Sequence, residues 1–279
     1  MASIFLRFPQ GRAKALTLSY DDGVEQDMRL VEIMNRHGLK GTFNLNSGLY
    51  APEGTVYPKG QIHRRMTERQ VTETFLNSGQ EIAVHALTHP FLEQLPPAMV
   101  AREIIRDREN LESQFGTIVR GMAYPYGTYS DSVVETIKAC GIVYARTVES
   151  SHSFNLPTDW LRLKPTCHHD SEALMPLAKQ FAEESPRHAP WLFYLWGHSY
   201  EFEANNNWHV IEEFASYMGG REDIWYATNI EVYDYVDDFN RLQFSVESTR
   251  VRNPGARRLW FECDGRLYEI GPGETLEIA

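Results

Sequence analysis

The sequence predicts an α/β fold: a distorted (β/α) barrel of about seven units with a small C-terminal β appendage. Three observations predict it. Short apolar runs alternate with amphipathic stretches along the chain to about residue 240. Several of those runs end in polar, chemistry-bearing residues (Asp21-Asp22, His85, Tyr124 to Gly127, His198), and barrels gather such groups at strand ends. No repeat or low-complexity segment divides the 279 residues.

Strands are expected over 15–19, 41–44, 81–85, 121–124, 142–145, 160–164, 191–196 and 224–226. Helices are expected between them. The stretch 24–37 sets Val24, Met28, Val31 and Met34 on one face and stops at Gly38. The stretch 67–77 opens on a capping box, Thr67 with Gln70, and stops before Gly79. The stretch 97–115 has Pro97 in its first turn and charge partners at i,i+4. Stretches 130–139, 171–183, 207–217 and 228–239 complete the set.

The texture changes after Phe244. Leu259 to Cys263 and Arg266 to Ile270 read as a hairpin about Asp264-Gly265, a two-residue turn pair. Gly271-Pro272-Gly273-Glu274 forms a second turn before a last short strand. The division expected is a catalytic barrel over 1–242 and an appendage over 243–279, because the tail is small for an independent module.

Composition excludes whole classes of function. A net charge of −11 removes the basic footprint that nucleic-acid binding needs and the polybasic anchor for an anionic membrane. No apolar run reaches the roughly 20 residues of a membrane span. The N-terminal residues lack the basic and long apolar regions of a secretory signal. Cys140, Cys167 and Cys263 are odd in number and widely spaced, as free thiols of a reducing compartment are. A cytoplasmic location is therefore the expectation, and the oligomeric state is left open.

Two strings carry the chemistry. Ser19-Tyr20-Asp21-Asp22-Gly23 puts adjacent carboxylates at the end of an apolar run, and His85-Ala86-Leu87-Thr88-His89 puts two imidazoles four residues apart. On one helical turn both imidazoles project the same way, toward one ion. Two histidines and a carboxylate suit a divalent transition metal, and a spare carboxylate beside it suits a general base. Taken singly each string has a plain structural explanation: Asp-Asp-Gly favours turns, and paired histidines line partly buried faces.

Together they resemble the polysaccharide deacetylases, the NodB-homology domain of carbohydrate esterase family 4. Ser19 to Gly23 is similar to that family's (T/S)-(F/Y)-D-D-G string and His85 to His89 to its H-(S/T)-x-x-H string. The resemblance continues through Tyr124-Pro125-Tyr126-Gly127 and Leu195-Trp196-Gly197-His198, over about residues 10 to 240. It implies a distorted (β/α) barrel and a metal held by Asp22, His85 and His89. It also implies Asp21 as general base, His198 as the acid that protonates the leaving amine, and the Tyr126 backbone N–H as an oxyanion donor. Zn²⁺ is the expected ion, with Co²⁺, Ni²⁺ or Mn²⁺ also suited.

The family's arginine position in R-x-P-Y is Ala123 here, which leaves Asp21 without that partner. Arg146, at the next strand end, is either its replacement or an ordinary surface arginine. Thr158-Asp159-Trp160 matches the family's Asp- and Trp-rich motif only loosely, with Trp160 either walling a sugar site or packing in the core. Glu201 either orients His198 or meets substrate. His168 and His169 are read as loop or rim residues, and His37, His63, His152, His188 and His209 as surface or capping groups.

The function expected is metal-dependent hydrolysis of N-acetyl groups on an amino-sugar-containing saccharide, with an acetylated saccharide as substrate and no nucleic-acid or membrane partner. Other readings use the same residues: deacylation of O-acetyl esters or a small linear or cyclic amide, a 2-His-1-carboxylate iron oxygenase, and a catalytically silent sugar-binding protein.

Overall fold

The computed structural model describes residues 3–278; Met1, Ala2 and Ala279, the outer ends of the expected 1–242 and 243–279 division, lie outside the described residues. Its strands are β1 (Ile4–Arg7), β2 (Lys14–Asp21), β3 (Gly41–Leu45), β4 (Glu81–Val84), β5 (Gly121–Ala123), β6 (Tyr144–Arg146) and β7 (Cys167–His168). Then come β8 (Trp191–Gly197), β9 (Ile224–Tyr226), β10 (Gln243–Phe244), β11 (Arg250–Arg252), β12 (Leu259–Cys263), β13 (Arg266–Ile270) and β14 (Thr275–Glu277). The helices are α1 (Gln26–Arg36), α2 (Glu68–Phe75), α3 (Pro97–Phe115), α4 (Asp131–Ala139), α5 (Leu174–Glu183), α6 (Ser199–Ala204), α7 (His209–Met218) and α8 (Asn229–Asn240).

An eight-stranded parallel sheet runs β6-β5-β4-β3-β2-β8-β7, with β9 also on β2. At the centre, β2 is buried along its whole length, as a strand covered on both faces must be. One edge of β2 is shared: Lys14 to Leu16 pair with β9 and Leu18 to Asp21 with β3. The other edge belongs to β8 from Lys14 to Tyr20. The sheet curls into a barrel, and an irregular stretch joins its two edges. Leu163 pairs with Arg146 of β6, and four residues on Cys167–His168 pairs with β8.

That stretch corrects one expectation. Residues 160–164 do not form a strand: Trp160–Arg162 is a 3-10 turn whose start is capped by the Asp159 side chain accepting from Leu161 N at 2.9 Å. A local side-chain cap of this kind competes with sheet pairing. Trp160 packs edge-on against Tyr233 at 5.2 Å, with no place in the site described below. The other expected strands form, and the helices form with boundaries shifted by a few residues. Helix α2 carries its capping box, and α3 runs from Pro97 to Phe115, where Gly116 at a φ of 65° ends it in a left-handed turn.

The tail folds into two three-stranded sheets, β10-β11-β14 and β1-β12-β13. The hairpin turns on Asp264 and Gly265, both at positive φ, as a tight turn between right-twisted strands requires. Its sheet takes β1 from the opposite end of the chain, with Ile4 opposite Cys263, so it is not built of C-terminal residues alone. No helix among the described residues is long and apolar enough to cross a membrane.

Candidate metal-centred active site

A cleft of about 510 Å³ opens at the carboxyl ends of the parallel strands, and its lining includes Asp21, Asp22, His63, Arg65, His85 and His89. Trp196, His198, Tyr200 and Tyr126 line it too. Asp21 is the last residue of β2, and Asp22 follows at a φ of 87°. Across that left-handed turn the two adjacent carboxylates take separate partners. Ala86, His89 and Tyr126 also have positive φ, at 62°, 54° and 59°. Each such non-glycine conformation costs on the order of 1–3 kcal/mol, and three of them, Asp22, His89 and Tyr126, line one cleft.

His85 and His89 meet, but not on a helical turn as expected. Strand β4 ends at Val84, and the loop that follows turns through Ala86 and His89. Their Nε2 atoms lie 3.1 Å apart. His85 Nδ1 sits 2.9 Å from the Ala123 carbonyl, which places the ring proton on Nδ1 and leaves the Nε2 lone pair facing the cleft. Burial pulls both histidines down, His89 to about 4 with the neighbouring His85 adding to the effect, so both are neutral near pH 7. Asp22 Oδ1 lies 3.9 Å from His89 Nε2, and one donor atom from each of the three residues falls within a 4.8 Å cluster. The His85 Nε2 lone pair, the His89 ring nitrogen and the Asp22 carboxylate thus offer one donor atom each to a common point. The donor set fits a divalent metal.

Sequence reasoning did not find the groups that hold Asp22. Arg65 Nη2 donates to Asp22 Oδ1 at 3.0 Å, and Nη1 donates to the Asp22 carbonyl and, at 2.8 Å, to Asn46 Oδ1. His63 Nε2 stands 3.2 Å from Asp22 Oδ2, so His63 belongs to the cleft and is not a mere surface group. Burial opposes ionisation of Asp22, yet the His63 hydrogen bond and the Arg65 charge keep it well below the ordinary carboxylate range. Both residues arrive on the stretch between β3 and α2, pinned where Arg65 bridges Val24 and Met66 N donates to Gly23 O. No motif marks that stretch; only the tertiary path brings it over the cleft. The histidine loop is fixed in turn by Asp107 of α3, which accepts from His85 N at 3.1 Å and from Ser47 N at 2.8 Å.

Asp21 has separate partners. Asn44 Nδ2 donates to Oδ1 at 2.9 Å, and Arg146 Nη2 donates to Oδ2. Arg146 is buried, not a surface arginine, and its guanidinium lies 4.3 Å from the Trp196 ring. Burial works against the Asp21 carboxylate, but Arg146, with His85 and His198 beside it, holds it below its ordinary value. The carbonyl of Ala123 is spent on His85, and the cationic partner of Asp21 comes from one strand further along the sheet.

His198 follows β8, and its Nε2 faces Asp21 Oδ2 at 3.8 Å. Burial would lower its pKa; the hydrogen bond to Glu201 and the charge of Asp21 raise it above the ordinary imidazole value. Tyr126 stands half exposed at the rim, its ring stacked on Phe91 at 3.9 Å and edge-on to His89 at 4.5 Å. His169, expected in a loop or rim, is buried between Tyr20 and Phe202.

Residues 9–145 match the family model described as polysaccharide deacetylase. That part of the chain belongs to the polysaccharide deacetylase family. It is 29% identical over 125 residues to an uncharacterized protein of Streptomyces coelicolor, covering 45% of this chain and 44% of that one. It is 26% identical over 152 residues to a chitooligosaccharide deacetylase of Bradyrhizobium, covering 53% and 60%. The matches thus span less than two thirds of the curated relatives' own length. Among solved structures, a family 4 carbohydrate esterase from Streptomyces lividans in complex with acetate superposes with a TM-score of 0.51. It is 15% identical and covers 77% of this chain and 92% of that one. At that identity the likeness speaks to the fold, the family's (β/α) barrel.

Proposed function

We propose that this chain is a metal-dependent hydrolase that removes N-acetyl groups from an amino-sugar-containing saccharide and releases acetate. The observation that carries the reading is the convergence of three separate functions in one cleft: the Asp22, His85 and His89 donor cluster, the Arg146-paired Asp21, and His198 facing that same carboxylate. Family membership and the name of the Bradyrhizobium relative support an acetylated saccharide as the substrate class.

Asp22, His85 and His89 would hold the ion, for which the mixed nitrogen and oxygen set favours Zn²⁺, with Co²⁺, Ni²⁺ or Mn²⁺ also accommodated. Such an ion supplies two things when bound: a water of lowered pKa and polarisation of the acyl carbonyl. Asp21, kept ionised by Arg146, takes the proton of the attacking water. The Tyr126 backbone N–H donates to the oxygen on which negative charge develops. His198 delivers a proton from Nε2 to the departing amine nitrogen, so the carbon–nitrogen bond breaks to give acetate and a free amino sugar. Arg65 and His63 keep Asp22 oriented while leaving His85 and His89 free to ligate.

The test is acetate release from a panel of N-acetylated oligosaccharides by the metal-loaded protein, with O-acetylated sugars and small acetamides as comparators. The proposal requires acetate from the N-acetyl substrates. Release only from the comparators moves the reading to an ester or small-amide hydrolase.

A further inference from the structure

Behind His198, outside the cleft, lies a second cluster in which His168, His169, Asp170 and Glu201 bring one donor atom each within 4.8 Å. Its chemistry has two interpretations, a second cation site or a clamp on one carboxylate. The hydrogen bonds separate them. His168 Nδ1 accepts the Asp170 backbone N–H at 3.2 Å, so the proton of this ring sits on Nε2, which faces Glu201 Oε2 at 3.1 Å. A neutral imidazole committed in that way has no lone pair left for a cation. The Asp170 carboxylate is spent on the amides of Asn205 and Asn207, each at 3.1 Å.

His169 Nε2 stands 3.1 Å from the same Glu201 oxygen. Its ring is fixed by stacking on Phe202 at 4.1 Å and on Tyr20 at 5.7 Å, and it packs so closely on Gly197 that a Cβ there would collide with it. On the cleft side, Glu201 Oε1 is 3.3 Å from His198 Nδ1, and Oε2 accepts the His198 backbone N–H at 3.3 Å. One carboxylate therefore meets three imidazoles.

We infer that Glu201 is a positioning residue for His198, locking its ring with Nδ1 protonated and Nε2 turned to the cleft, and that His168 and His169 hold Glu201 in place for that task. The inference rests on the reading of His198 as the acid. A carboxylate on Nδ1 fixes which nitrogen carries the proton, orients the ring and stabilises the imidazolium that must form before each proton delivery. The charged and titratable groups facing His198 are Asp21 and Asp22 from the end of β2, Glu201 and Tyr200 from α6, and His168 from the end of β7, with Arg146 behind Asp21. Of these, Glu201 contacts Nδ1.

The test pairs a readout of the ring with a readout of turnover on the same metal-loaded samples. ¹⁵N NMR of His198 in the wild type shows the Nδ1-protonated tautomer and a titration midpoint above that of a free histidine. In Glu201→Gln the midpoint falls, the basic limb of the kcat profile moves to lower pH, and kcat drops roughly 10–100-fold with KM within about twofold. Glu201→Asp restores part of both. His168→Gln, at a partly exposed position, gives a smaller shift in the same direction and serves if Glu201→Gln does not fold. An unchanged His198 tautomer and midpoint in the folded variants overturns the inference. So does a metal content of two ions per chain, one of them lost in Glu201→Gln, because the cluster is then a cation site. If the wild type releases no acetate, the functional reading fails while the ring titration still decides the clamp.

Discussion

Arg146 and Asp21 form an ion pair almost wholly out of water, with side chains 1% and 3% exposed, joining the carboxyl ends of β6 and β2. The pair is bracketed by Trp196 on the arginine and Asn44 on the aspartate. A buried charge deprived of its partner is costly, whereas loss of both charges together is far less so. Arg146→Met is expected to destabilise the fold by about 3–5 kcal/mol, and Arg146→Met with Asp21→Asn by less than the sum of the two single changes. Urea unfolding of the three variants gives the answer. Additive costs would mean that the two side chains are not coupled.

Asp21→Asn keeps the shape and the Asn44 contact but removes the group assigned to take a proton. Metal binding should persist, because Asp22, His85 and His89 are untouched, while kcat falls by about 10²–10⁴. Isothermal titration with Zn²⁺ and an acetate assay on one preparation separate the two effects. Full turnover in this variant rejects Asp21 as base.

Tyr126 is assigned through its backbone, so its side chain is expendable for chemistry. Tyr126→Gly suits the φ of 59° and retains the N–H. The variant should keep kcat within about threefold, whereas KM rises as the ring stacked on Phe91 is lost. Steady-state kinetics on an N-acetylated oligosaccharide test this; a collapse of kcat with KM unchanged would put the phenol itself in the chemistry.

At the opposite end of the barrel, Glu81 accepts from Thr42 Oγ1 at 2.7 Å, Tyr144 OH at 2.7 Å and Ile230 N at 2.9 Å. Burial lifts its pKa from 4.5 to about 7 despite those bonds. A carboxyl that holds its proton more tightly in the folded state contributes stability below its unfolded pKa and loses it as pH rises through the folded value. Glu81→Gln, which keeps the shape without the charge, should therefore gain on the wild type between about pH 5 and about pH 8. Thermal unfolding at the two pH values measures the gain, and a constant difference would contradict it.

The legible parts of this chain are those governed by local rules. The apolar run into Asp21-Asp22, the proline and glycine that bound α3, and the Asp264-Gly265 turn each write their structure within a few residues. Tertiary arrivals were not legible. Strand β1 finds its partner some 250 residues away, in β12, and β7 is two residues long, too short for a periodic signal. His63 and Arg65 reach Asp22 by a path that no spacing encodes. The spacing of His85 and His89 marks them as a pair, yet they converge through a strained loop instead of a helix. The distance from His85 to His89 in sequence is compatible with both, and only the positive φ values tell them apart.

The cation that Asp22, His85 and His89 would hold is central to the proposed chemistry, and the most direct test strips it. Protein dialysed against a chelator should lose acetate release from N-acetylated oligosaccharides and recover it with one equivalent of Zn²⁺, whereas His85→Ala should neither bind the ion nor recover. Acetate release undiminished in the metal-free protein would contradict the account.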